Sequence, residues 1–162
     1  MNAISETKTS TSKGAEQQTF NVLGVLLQFL STPEQIYDQI SVMRATVPPG
    51  VVIPLHSHAD PEIFYVLKGS LEVFQAEGPS EGWQTVTAEG VVSMPGNVRH
   101  ALRNTSPGPI TSITVTKQEL YSFFRELARP FDPNSPPAPP TPEEMQHLFS
   151  VAQKYEIGRA HV

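Results

Sequence analysis

Apolar residues recur along this chain in short bursts, most with the alternation that places every second side chain on one face of a strand. Phe20–Leu30 and Gln39–Val47 read as the first two strands, separated by a polar turn around Ser31–Glu34. Pro48-Pro49-Gly50 marks a turn before the β-branched run Val51–Leu55. Glu62–Leu67 and Ser70–Ala76 follow, joined so tightly at Lys68-Gly69 that they read as a hairpin. Gly78–Gly82 is another turn, and Trp83–Ala88, Val91–Met94, Ala101–Asn104 and Ile110–Lys117 complete the series. Short strands at even spacing, punctuated by Gly and Pro, predict an all-β sandwich or barrel.

Past Lys117 the period changes. Leu120, Phe123, Phe124 and Leu127 follow helical spacing, and Pro130 ends that helix. Residues 129–140 are Pro-rich and predict an extended connector. Thr141-Pro142-Glu143-Glu144 then opens a second helix, with Thr at the N-cap, Pro at the first helical position and Glu in the capping-box place. Its apolar stripe is Met145, Leu148, Phe149, Ala152 and Tyr155. Both stripes predict docking against the barrel or against a partner subunit. Residues 1–19, rich in Ser, Thr, Lys and Gln, have little to bury and read as a flexible arm. The expected organisation is thus an arm at 1–19, a barrel at 20–117 and C-terminal helices at 118–162.

Composition narrows the function. The 162 residues suffice for one domain with a core. A net charge of −5 lacks the basic surface that attracts nucleic acid or an anionic membrane. Val22–Leu30, the longest apolar run, is too short to cross a bilayer. The N-terminus lacks a signal pattern, which gives a cytoplasmic reading by default. With no cysteine in the chain, any metal must be held by His, Asp or Glu.

His56 and His58 are separated by one residue, so on a strand both imidazoles face the same way. Glu62 follows across the turn Ala59-Asp60-Pro61. Two imidazoles and a carboxylate form the ligand set typical of non-haem Fe(II) sites. His100, flanked by strand-like sequence, adds a third imidazole. A lone His on a strand is ordinarily structural. Here, however, three of the five His fall inside one pattern, leaving His147 and His161 to incidental roles. Four ligands leave up to two positions of an octahedron for water, substrate or dioxygen.

These residues resemble the cupin superfamily. Its first motif is matched by Gly50-VVIPL-His56-Ser57-His58-ADP-Glu62-IFYVLK-Gly69. Its second is matched by Gly90-VVSM-Pro95-Gly96-Asn97-Val98-Arg99-His100-ALR-Asn104. In the second motif the family's glycine falls on Asn97, and the gap from Gly90 to Pro95 is one residue short. Asn tolerates the left-handed backbone that such a turn requires. The phrases Glu62–Leu67, His100–Asn104 and Phe123–Leu127 look like the small single-domain cupins grouped with quercetin 2,3-dioxygenases. The resemblance implies a double-stranded β-helix (jelly-roll) barrel and one divalent transition metal per chain, chosen among Fe, Mn, Ni, Cu, Co and Zn. It further implies oxidoreductase chemistry of dioxygenase type and a homodimer, with Val22–Leu30 either a pairing edge or core.

In that reading Glu62 is both ligand and base toward a substrate hydroxyl. The same site without dioxygen would serve an isomerase or a C–C lyase, and a non-catalytic metal- or ligand-binding module is the other alternative. Parity from His56 and Glu62 turns Val52, Pro54, Phe64 and Val66 inward, and parity from His100 turns Leu102 inward. Phe64, Leu102, Met94 and Met43 are the candidate substrate contacts, which favours a small, partly apolar or aromatic molecule. On the earlier strand either Met43 and Ala45 or Arg44 and Thr46 face in, and an inward Arg44 would favour an acid. On the last strand Ser112, Thr114 and Thr116 compete with Ile113 and Val115. Tyr65, Arg99 and Arg103 fall on outward positions.

Overall fold

The computed structural model describes residues 11, 17–37, 39–135 and 138–159. Most of the expected arm at 1–19 lies outside them, as does His161. The strands are β1 (Phe20–Val22), β2 (Val25–Ser31), β3 (Ser41–Val47), β4 (Val52–Ser57), β5 (Glu62–Lys68), β6 (Ser70–Gln75), β7 (Gly82–Thr87), β8 (Val91–Met94), β9 (His100–Arg103) and β10 (Ile110–Thr116). After them come α1 (Gln118–Leu127), the two-residue β11 (Arg129–Pro130), α2 (Pro142–Lys154) and the two-residue β12 (Gly158–Arg159). They form two antiparallel sheets, ordered β11-β1-β2-β3-β10-β5-β8 and β12-β4-β9-β6-β7. Between β3 and β10 the chain passes repeatedly from one sheet to the other. This is the expected all-β jelly-roll barrel with C-terminal helices.

Two sequence expectations are corrected. Phe20–Leu30 is a hairpin, β1–β2, rather than one strand. Its two-residue turn places Leu23 (φ 55°) and Gly24 (φ 92°) in left-handed backbone, and Asn21 Oδ1 accepts from Gly24 N at 2.8 Å. A leucine in that turn carries no turn signature, so the strand pattern runs through it unbroken. The second correction is at Lys68-Gly69. β5 pairs with β10 and β8, whereas β6 pairs with β9 and β7, so the tight connection is a corner between sheets. A Cβ at Gly69 (φ +89°) would sit 3.1 Å from Ile110 Cγ1 and 3.2 Å from Ile110 Cα, so the residue is fixed by backbone conformation and by space.

Apolar burial falls in two clusters. One fills the barrel with Phe64, Val66, Leu71, Val73, Leu102 and Ile110. The other joins Leu27, Phe29 and Met43 to Leu120, Phe123 and Val151 of the helices. Val22, Leu27 and Phe29 are therefore core. α1 buries the predicted stripe at Leu120, Phe123 and Leu127. α2 has the full capping box between Thr141 and Glu144, but its buried residue is Val151, and Phe149 of the expected stripe is 43% exposed. α2 is held further by Lys154 and Tyr155 Oη, each 2.8 Å from Glu126 Oε2, and by the Arg129–Glu144 ion pair. Neither helix is long and apolar enough to cross a membrane.

Candidate metal centre

The imidazoles are brought together by an irregularity in β4. Ile53 stands opposite Leu102, and His56 stands opposite His100. Three steps of β4 thus face two of β9, a β-bulge that resets the alternation. Ile53 and His56 both turn inward as a result. Val52 and Pro54, expected on the His56 face, line the cavity only at its exposed rim, Val52 being 60% exposed.

His58 lies just past the end of β4, and Glu62 opens β5. The loop between them is fixed from three directions. Asn97 N donates to His58 O at 2.7 Å, Leu120 N to Asp60 Oδ2 at 3.0 Å and Thr116 Oγ1 to Pro61 O at 2.8 Å. Asp60 is buried and supplies the acceptor that Lys117, at the N-cap of α1, does not. Sequence pattern placed Asp60 only in a turn, because its partner is sixty positions away. Asn104, the last residue of the second motif, is 1% exposed and donates to Val47 O and Gly108 O, tying the end of β3 to the loop after β9.

The ligating atoms of His56, His58 and His100 lie within 4.8 Å of one another. Glu62 Oε2 joins them, 3.3 Å from His58 Nε2 and 3.7 Å from His100 Nε2. All four proposed ligands therefore converge. Each Nδ1 faces a backbone carbonyl: Pro54 O at 2.8 Å from His56, Asp60 O at 2.7 Å from His58 and Val98 O at 2.8 Å from His100. Those carbonyls can only accept, so each Nδ1 carries the proton and each Nε2 presents a lone pair to the centre. Nε2 of His58 and of His100 are buried without a hydrogen-bond partner.

Lone pairs crowded around a carboxylate repel unless a proton or a cation lies among them. Burial and the neighbouring His100 hold His56 down to about 4, so it is neutral at physiological pH. Burial pushes Glu62 up, but the His100 and His58 imidazoles facing it outweigh burial and hold the carboxyl at about 2. His58 is raised, burial being overcome by Glu62. A divalent cation satisfies both orphaned nitrogens and the carboxylate together, and three imidazoles with one carboxylate suit Fe, Mn, Ni, Cu, Co or Zn. The residues fit the ion.

A cavity of ≈ 220 Å³ opens onto His56, His58 and Glu62. Phe64, Leu102 and Met43 line it as expected. Met94 does not. It is 1% exposed in the barrel core and accepts from Gln75 Nε2 at 3.5 Å. The open alternatives resolve in favour of Met43 and Ala45, with Arg44 exposed, and of Ser112 and Thr114. Tyr65 points outward. One group of lining residues is not expected at the site from the sequence: Leu148, Phe149 and Ala152 of the α2 stripe, with Ile157 and Gly158, roof the cavity. β12 anchors that roof by pairing Gly158 with Ser57 and Arg159 with His56.

Comparison with known proteins decides the family. The Cupin_2 cupin-domain family model matches residues 43–116, which hold all four candidate ligands. That stretch is a cupin domain. The search of curated proteins returns no match. Among solved structures, the cupin is similar to a predicted oxalate decarboxylase from Thermotoga maritima (19% identity, TM-score 0.59, 67% of this chain and 98% of that one). It is also similar to the polyketide cyclase RemF from Streptomyces resistomycificus (14% identity, TM-score 0.59, 68% of this chain and 80% of that one). A third is Bacillus subtilis oxalate decarboxylase, described for its Mn(II) centres (17% identity, TM-score 0.54, 70% of this chain and 32% of that one). At these identities the likeness is one of fold.

An ion that binds only the folded cupin adds stability by mass action. At a hundredfold excess over Kd the gain is about 2.7 kcal/mol, which for a chain of this size separates the Tm values of loaded and EDTA-treated protein by about 5–10 °C. Differential scanning fluorimetry reads the gap, and identical melting across every candidate metal would mean that the cluster holds none.

Proposed function

We propose that this cupin is a metal-dependent enzyme of the dioxygenase type, close in character to the quercetin 2,3-dioxygenase group. It acts on a small, partly apolar or aromatic molecule at a His56–His58–Glu62–His100 centre. The observation that carries the reading is the apolar cavity opening directly onto three of those four side chains. A bound divalent ion would supply Lewis acidity and, where redox-active, electrons for dioxygen. Mn(II), named for one of the structural neighbours, is one of the ions to try.

The chain's own residues divide the remaining work. The Glu62 carboxylate, ionised at physiological pH, accepts a proton from a substrate hydroxyl. Phe64, two residues beyond it on β5, packs on the substrate, with Leu102 and Met43 as further walls. Leu148 and Phe149 on the roof keep water from the reacting groups. The exposed outer residues Ile63, Tyr65, Leu67 and Val91 suit contact with a second copy in a homodimer.

Oxygen uptake tests the reading. Protein stripped of metal, then loaded in turn with Fe(II), Mn(II), Ni(II), Cu(II), Co(II) and Zn(II), is offered diketones, flavonoids and catechols in an oxygen-electrode cell. The expected result is uptake matching substrate loss with at least one redox-active metal. Substrate loss without uptake would assign an isomerase or lyase, and reversible binding without turnover would assign a non-catalytic module.

A further inference from the structure

Among the described residues, four buried side-chain polar atoms have no hydrogen-bond partner: Nε2 of His58 and His100, Oγ of Ser41 and Oγ1 of Thr114. The two nitrogens belong to the metal centre. Ser41 does not line the cavity, but Thr114 does, and it is 3% exposed. β10 pairs Thr114 with Phe64 of β5 on one side and with Met43 of β3 on the other. The hydroxyl is thus set into an apolar wall between two candidate substrate contacts. Valine would fill the same space without stranding a polar atom, and a buried hydroxyl that makes no bond is destabilising.

Glu62 and Phe64 are alternate residues of β5, so Thr114 stands one pleat repeat, about 7 Å, farther along the barrel than the carboxylate ligand. We infer that Thr114 Oγ1 is a specificity-determining contact that hydrogen-bonds a second oxygen of the molecule whose first oxygen is directed at the metal. The inference rests on the reading of this cavity as the substrate site, and it narrows the ligand class. The ligand is a mostly apolar molecule with two oxygen functions set apart, one at the centre and one across the ring or chain. Aromatic or alicyclic compounds with a hydroxyl at one end and a carbonyl or equivalent acceptor at the other fit that description. A hydrocarbon or a compound with one oxygen function does not.

The test uses full-length protein loaded with redox-silent Zn(II) and two probes, catechol and 4-nitrocatechol. Both present the same adjacent hydroxyls to the metal, and only the second has oxygens across the ring. Binding is read from ultraviolet–visible difference spectra. Thr114→Val should weaken 4-nitrocatechol about three- to tenfold, the worth of one hydrogen bond, and leave catechol within about twofold, with Thr114→Ser holding 4-nitrocatechol near the parent value. Zinc content should be unchanged and Tm equal or higher, because the substitution removes an unpaired hydroxyl without changing shape. A hydroxyl serving the fold would lower Tm instead. Unchanged 4-nitrocatechol binding in Thr114→Val, or equal weakening of both probes, would overturn the assignment. Failure of either probe to bind the zinc-loaded parent would overturn the substrate-site reading itself, a separate result.

Discussion

His100→Ala loses its metal: content measured by elemental analysis falls at least about tenfold against the parent, the lower bound set by what even supporting residues of metal sites contribute. His100 is fully buried, its Nδ1 is committed to Val98 O and its Nε2 points at Glu62 with nothing else to bond. Alanine removes a ligand that no neighbour can replace, because His56 and His58 are already held by their own carbonyls. His56→Ala should behave alike. The metal-dependent gain in Tm should vanish in both variants. In His147→Ala, altered on α2 away from the cluster, the gain should persist. Full stoichiometric metal in both His56→Ala and His100→Ala would remove the assignment.

Gly96→Ala is expected to be nearly as damaging, though Gly96 touches no metal. A Cβ there would lie 2.1 Å from Ala59 O and 3.1 Å from Ala59 C. Both contacts are backbone, so no side-chain rotation relieves them, and Ala59 sits in the loop between His58 and Glu62. The loop must retreat by about 1 Å, whereas a metal site tolerates errors of only about 0.2 Å in ligand distance. Metal affinity, measured by competition with a chromogenic chelator, should fall about 10–100-fold. Asn97→Gly is the contrast. Asn97 already holds left-handed backbone at φ 65°, which glycine adopts freely, so stability should stay within about 1 kcal/mol. Equal affinity in Gly96→Ala and the parent would show that the loop has slack.

That pair shows how much of the molecule could be read from sequence. The motif spacing places Asn97 where a glycine is usual, and tolerance of left-handed backbone is a property of the residue itself, so its conformation was foreseeable. Gly96 is required by an approach to Ala59, which depends on tertiary packing and leaves no local mark. The same division runs through the barrel. Strand positions were legible because alternation and turn residues are local. The Leu23-Gly24 hairpin was missed because an apolar residue fills its turn, and the corner at Gly69 because a turn signal does not say which strand the chain will pair with next.

In the site, the four converging side chains were legible from types and spacing. The β4 bulge was not, and it leaves Val52 and Pro54 exposed at the cavity's rim rather than inside it beside His56. Ser112, Thr114 and Thr116 could not be separated from Ile113 and Val115, since both sets fit a pleated strand. Met94 was counted as a substrate contact on proximity alone, and the core took it. The α2 stripe was visible, but nothing in it names the surface it covers, so the roof over the cavity emerged only with the fold.

That roof has a consequence for the order in which the protein is completed. All four ligand residues precede position 101, whereas the roof begins at Leu148. At about 5–20 residues per second, the last ligand leaves the ribosome roughly 2–10 s before the roof does. Once β10 has followed, and before α2 appears, the nascent barrel has its candidate ligand set and an open mouth. Ion capture therefore does not have to wait for α2, whereas the apolar cavity gains its α2 wall only afterwards.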